Sequence, residues 1–393
     1  MINGAEAVRA IWGVAGILVV FGTFMSEVRT LVVPRIFRPG LSNMLGRTVL
    51  LAFQFLANRF ERYEAKDRIL AYAGPLSVVA KLVGWISAFL VGYSMINFSL
   101  GVLSWRASIR EAGSSLFTLG FASADKSRLN AVDFVAAATG PVSIGLLVGY
   151  LPALYAAYAR READVTMLEA RAGGPAWGPE ILARYAMVNL GDQLSDLYRD
   201  WERWTADVSE SHTSYPVLIY FRSPRAHRNW LIALLAVMDA AALHVSFNPS
   251  QNNGEIRMML RGGFVALREI ARTERIPYNP DPLPKDPIML TYEEFLYGVQ
   301  RMRGEGYEFE RTPKEAWRHF QGWRVNYESV AYALALRIDA VPARWSGPRR
   351  TSEAQIDVIT PVNRQPSDDE RVDDERAGDE RVADERVGDE AGT

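Results

Sequence analysis

The sequence predicts an all-α membrane protein: transmembrane helices first, then a cytosolic α-helical domain, then a disordered acidic tail. Three observations predict this. Three long apolar runs without a charged residue lie before residue 160; apolar and aromatic residues recur at helical spacing after about residue 177; strand signals are few. The 393 residues suffice for two or three domains. A net charge of −2 gives no chain-wide basic field, so no nucleic-acid partner is expected. The absence of cysteine removes disulfides, thiolate metal sites and cysteine nucleophiles together.

The first segment, 1–68, opens with the apolar run Ala10 to Ser26, bounded by Arg9 and Glu27. It is close to the minimum length for a spanning helix, about 17 residues. No small-x-small cleavage site follows it, so it reads as a retained helix rather than a signal peptide. Ser42 to Phe60 has helical apolar spacing and is expected at the membrane interface or on its cytosolic side. The linker carries Arg35, Arg38, Arg47, Arg59, Arg62, Lys66 and Arg68, seven cations that direct it to the cytoplasm.

The second segment, 69–161, holds the runs Leu82 to Trp105 and Phe134 to Ala159, each long enough to cross roughly 30 Å of hydrocarbon. Arg160 and Arg161 close the last run as a second cytosolic signal. The expected topology is therefore multi-pass in the cell membrane, with an external N-terminus and a cytosolic C-terminal part. Lys81 is expected to snorkel to the cytosolic interface, and Asp133 to cap its helix or pair with Arg128.

In the third segment, 162–350, helices are expected over Ile181 to Val208, Asn229 to Val245, Gly254 to Arg272, Thr291 to Arg303 and Pro313 to Asp339. Five prolines between Ile276 and Pro287 forbid regular structure there. Val217 to Phe221 is the best extended piece. The apolar stretch 229–247 can be a fourth span or a buried core helix; its length and basic flanks favour the core. Trp201, Trp204, Trp317 and Trp323 read as core side chains. His212, Asp239, His244 and His319 show no metal-ligand spacing, and no enzymatic role is expected.

The last segment, 351–393, repeats every five residues around Asp-Glu-Arg. From Pro366 it has 12 acids and four arginines, a period that matches no helical face, and no large apolar residue, so disorder is expected.

The chemistry concentrates between the second and third apolar runs. Trp105 to Asn130 is too long for a tight turn and too short for a domain, and its middle reads Gly113-Ser-Ser-Leu-Phe-Thr-Leu-Gly-Phe-Ala122. An ion filter needs backbone carbonyls in place of water, and glycine where the backbone angles are unusual. A short helix ending at the filter adds partial negative charge, and Ser108 to Phe117 can form it.

Here the chain resembles the potassium-channel superfamily, whose pattern is outer helix, pore helix, Thr-Val-Gly-Tyr-Gly filter and inner helix. Thr118, Leu119, Gly120 and Phe121 match the first four filter positions with conservative changes; the resemblance covers Pro75 to Arg161. Ala122 replaces the second filter glycine, and Ser123 stands where an acid usually follows, the first acid being Asp125. The resemblance implies filter carbonyls from Thr118 to Ala122, with a hydroxyl from Thr118. It also implies a gating bend among Gly140, Gly145, Gly149 and Pro152, and four copies around one axis, because one unit cannot enclose a path. Potassium or another monovalent cation would be the permeant ion, with no other cofactor. A function of another class also fits: a non-conducting anchor that keeps the pore-unit fold and carries a signalling or interaction domain, whose partner the sequence does not identify.

Overall fold

The computed structural model describes residues 4–33, 40–122, 127–251, 254–349 and 355–360. Ser123, Asp125 and the acidic repeats lie outside the described residues. The described residues are almost entirely helical, and their one β feature is an isolated bridge between Ala343 and Ile356. Residues to Val358 form one unit and those from Ile359 another.

Among the described residues four helices are long and apolar enough to cross a membrane: α1 (Gly4–Leu31), α4 (Ala73–Ser99), α6 (Ser127–Ala172) and a fourth, Trp230–Phe247, which is wholly buried. At 1.5 Å per residue, α1 is about 42 Å long and α6 about 69 Å. Helix α6 runs on through Pro141 and Pro152 and continues well beyond its apolar part. Large apolar side chains such as Ile17, Phe21, Val83 and Val148 are exposed along the first three, as expected of surfaces facing lipid tails.

Helices α1 and α4 pack through glycines. A Cβ on Gly16 would lie 2.8 Å from the Gly92 carbonyl oxygen and 2.8 Å from Ile96 Cγ1; one on Gly92 would lie 2.7 Å from Val20 Cγ2. Close backbone approach of this kind is how helices associate where lipid offers no hydrophobic drive. Gly16→Ala is expected to weaken the α1–α4 pair by about 1–3 kcal/mol, as overpacking does. Gly145→Ala, which meets nothing within 4 Å, is expected to be neutral. Thermal unfolding of the two variants side by side in detergent checks the contrast. At the same end of the bundle, Trp12, Phe98 and Trp105 form an aromatic trio with centroids 5.6–6.1 Å apart, the side-chain type that sits at a membrane–water boundary.

Helix α2 (Leu41–Ala57) is turned inside out relative to a water-soluble helix. Its protein-facing positions are Ser42, Gly46, Gln54 and Ala57, while Met44, Leu51 and Phe55 point outward. Ser42 is hydrogen-bonded to Ser26 (2.9 Å) and Thr30 (2.8 Å) of α1, and Gln54 Nε2 donates to the Arg337 carbonyl (3.0 Å). The linker therefore descends along α4 to the helical domain. Lys81 lies with its stem over Gly46 of α2, where a Cβ would meet its Cε at 3.3 Å.

The helical domain is built around α9 (Trp230–Phe247), every residue of which is buried. α9 is thus a core helix, although its length and composition would suit a span. Around it stand α7 (Gly178–Met187), α8 (Leu194–Ser214), α10 (Gly254–Glu274), α11 (Tyr292–Gly304), α12 (Pro313–Arg324) and α13 (Glu328–Arg337). Trp201 and Trp204 are buried in this core, and Trp317 and Trp323 pack against it.

Three expectations need correction. The helix expected over Ile181 to Val208 is two helices, because Asn189 (φ 54°) ends α7 in a left-handed cap with Leu190 N donating to Tyr185 O (2.8 Å). The helix expected over Pro313 to Asp339 breaks at Val325–Tyr327, between α12 and α13. Val217 to Phe221 is not extended but lies mostly in a 3-10 turn, Pro216–Tyr220, whose curl presents carbonyls to Arg161.

Candidate pore-loop site

Helix α5 (Trp105–Leu116) is about 18 Å long, too short to cross. Ser104 caps its start, accepting from Ala107 N. Its start belongs to the aromatic trio at one end of the bundle, and its other end sinks between α4 and α6. Ala112 and Leu116 are buried there with Trp85, Phe89, Tyr93 and Ala136. Leu116 O sits where a Cβ on Gly140 would be 2.0 Å away. Gly140 is 13 residues into α6, so α5 reaches roughly 20 Å along that helix before it stops. The opposite end of α4 is where the linker and helical domain lie: a Cβ on Gly74 would strike Phe221 at 2.7 Å.

The segment after α5 is exposed from Phe117 to Phe121. Thr118 N donates to Ser115 O (2.9 Å) and Leu119 N to Ser114 O (2.8 Å), the pair of bonds that closes a helix on a left-handed residue. That residue is normally glycine, yet here it is Thr118, at φ 53°. A β-branched side chain in this region is an outlier and costs more than the roughly 1–2 kcal/mol of an ordinary side chain. Gly120 is left-handed too, at φ 69°, with open space where a Cβ would be. Arg110 lies over the Phe121 ring at 5.4 Å.

Of the predicted site residues, Thr118, Leu119, Gly120, Phe121 and Ala122 form this one turn, and Gly140 lies against the helix that carries it. Gly145, Gly149 and Pro152 are elsewhere, along an exposed face of α6. Gly140 is a packing position, because its missing Cβ is what admits Leu116 O. Sequence reasoning missed Ser114, whose hydroxyl accepts from Ala122 N (3.0 Å) and donates to Ala122 O (3.2 Å), clamping the turn to its own helix. Asp133 accepts from Ser115 (2.8 Å), tying α6 to α5 rather than capping its own helix. Tyr93 and Thr139 share a 2.7 Å bond between α4 and α6.

At the other end of α6, one short segment links the bundle to the helical domain. Arg161 is fully buried and donates to Leu218 O (2.9 Å) and Phe221 O (2.8 Å), with His212 Nε2 at 3.0 Å. Tyr158 OH donates to Arg222 O (3.0 Å). Arg222 in turn is paired with Asp67 of the linker helix α3 (Tyr63–Leu70) and donates to Tyr63 OH (2.7 Å), Ile338 O (2.8 Å) and Asp339 O (2.7 Å). The residues around 216–222 thus hold α6, the linker and the end of α13 together.

Burial, then the Arg161 guanidinium, holds His212 well below the usual histidine range. The native state therefore resists a proton that the unfolded chain accepts. Its contribution is present above the unfolded value near 6.5 and is lost as pH falls below it, by at most about 1.4 kcal/mol per pH unit. His212→Asn is expected to flatten the acid limb of a stability–pH curve measured by denaturant unfolding.

Among the described residues no group of three or more His, Cys, Asp or Glu could hold a metal ion. Comparisons with family models, curated proteins and solved structures returned no match.

Proposed function

We propose that the chain is one subunit of a potassium-channel-like cation channel, assembled as a homotetramer in the cell membrane and regulated by its helical domain. α4 serves as outer helix, α5 as pore helix, Thr118 to Ala122 as filter and α6 as inner helix, with Gly145, Gly149 and Pro152 available for a gating bend. The observation that carries the reading is a helix entering about 20 Å and ending on a left-handed threonine. Strain of this sort persists where surrounding structure enforces it, and it clusters at functional sites. Glycine would relieve it, but threonine supplies a hydroxyl at the inner end of the turn. Phe117, Leu119 and Phe121 are uncovered in one chain, which suits burial against further copies.

One observation favours a second reading. Ala122 O is bonded to Ser114, so this last carbonyl is not free for an ion. A non-conducting anchor, with the helical domain as its working part, keeps that bond.

In this reading the N-terminus and the α5 loop are external, and the linker and helical domain cytosolic. Single-cysteine labelling tests it cleanly, because there is no native cysteine. Ser42 is unsuitable as a reporter because it is buried in the α1–α2 bond network. Cysteine at exposed Arg106 is expected to react with an impermeant reagent added outside, and cysteine at exposed Glu61 only after permeabilisation. The reverse pattern overturns the topology. Tracer flux in liposomes tests conduction.

A further inference from the structure

Glu27 closes the first apolar run in the sequence, where it would mark a solvated helix end. The structure puts it inside the bundle. It is 1% exposed, and Ser143 Oγ of α6 donates to its Oε2 at 3.0 Å. Its Oε1 is buried with no hydrogen-bond partner. Ionisable groups at membrane depth are costly and mark function by default.

We propose that Glu27 is a proton-binding site within the membrane part, and that its protonated carboxyl latches α1 to α6 through Ser143. The partnerless oxygen is the atom that takes the proton. An ionised carboxylate there would bury a charge with no cation beside it, which is strongly unfavourable. No ion pair involving Glu27 is found among the described residues. Among the described residues no hydrogen bond or ion pair joins Glu27 to a titratable group of α2, α4 or α6. Lys81 of α4 lies over Gly46, and Tyr93 of α4 is bonded to Thr139. Asp133 of α6 accepts from Ser115, Tyr150 of α6 packs on Tyr215, and Arg47 of α2 is exposed.

Position gives the latch its use. Ser143 lies two residues after Pro141, which cannot donate a backbone bond within α6, and between Gly140 and Gly145. The latch therefore holds α6 where the helix is easiest to bend. On release the proton passes to water; the carboxylate left behind is a buried charge without a cation, so α1 and α6 part at Ser143 to let water reach it, and no covalent bond other than the O–H changes.

The direct test is pH-difference infrared spectroscopy of the full chain in phosphatidylcholine liposomes. The parent is expected to show a carboxylic-acid carbonyl band that fades as pH rises, absent in Glu27→Gln and shifted in Ser143→Ala. Superimposable spectra of the parent and Glu27→Gln overturn the proposal. Should Glu27→Gln not fold, a band unmoved in Ser143→Ala overturns it. Only the flux arm rests on the channel reading: flux is expected to change with pH by about tenfold in the parent and less than about twofold in Glu27→Gln, whose amide oxygen still accepts from Ser143. A Glu27 band without flux at any pH keeps the site and sinks the channel reading, whereas flux with identical pH profiles in both proteins sinks the latch.

Discussion

In the proposed channel, Gly120→Val is expected to reduce cation flux in liposomes by about a hundredfold or more, while the helical domain keeps its fold. The reason is conformational. Gly120 is left-handed, and a β-branched residue is a marked outlier there, by more than the roughly 1–2 kcal/mol an ordinary side chain costs. No atom within 4 Å would oppose the new Cβ, so crowding within the chain is not the cause. Ala122→Gly should act in the opposite sense. It removes the Cβ that disfavours a left-handed turn, which lets the last carbonyl leave Ser114 and face an axis. Flux, or preference for potassium over sodium, is expected to rise. A potassium-against-sodium assay on the parent and both variants separates the two readings. Flux unchanged in Gly120→Val would mean that ions take another route. Intact tetramers without flux in the parent and in Ala122→Gly would favour the anchor.

The largest effect on stability is expected at Arg324→Leu. Arg324 is fully buried; it pairs with Asp239 and Glu328 and donates to Tyr332 OH (2.9 Å) and Trp345 O (2.7 Å). Removing it leaves two buried carboxyls without their cation, a loss of about 3–5 kcal/mol. For a domain of this size that lowers the melting temperature by about 10 °C. The triple change Arg324→Leu, Asp239→Leu and Glu328→Gln should recover much of it, because the desolvation cost leaves with the charges. Tryptophan fluorescence on heating reads both variants; an unchanged midpoint in the single variant would show that the network carries little.

The sequence made the helices legible wherever a pattern was local. Uncharged length marked α1, α4 and α6, and spacing marked α2 and most of the helical domain. The proline-rich stretch before α11 is indeed without a helix. What periodicity hid was punctuation. Asn189-Leu190-Gly191 carries a helix stop that an unbroken apolar rhythm obscured, and Pro216 starts a tight turn where β-branched and aromatic residues suggested a strand. Contacts distant in sequence left no mark. Nothing near Glu27 points to Ser143, 116 residues on, and nothing near Gly140 announces Leu116 O. The candidate turn was found by its glycine and its place between apolar runs. The clamp by Ser114 was out of reach, since a serine beside a serine looks like any polar pair.

The wrapping of α9 has a consequence for biogenesis. During synthesis Trp230–Phe247 emerges before the helices that cover its far side, α10 to α13. An insertion machinery that reads apolar length would accept it as a span. A chain so inserted would carry the rest of its domain to the wrong side of the membrane. Asp239 stands near the middle of α9, where an aspartate costs insertion roughly 2.5–3.5 kcal/mol. The carboxylate that receives Arg324 in the finished core thus also biases the nascent helix away from lipid until its partners arrive.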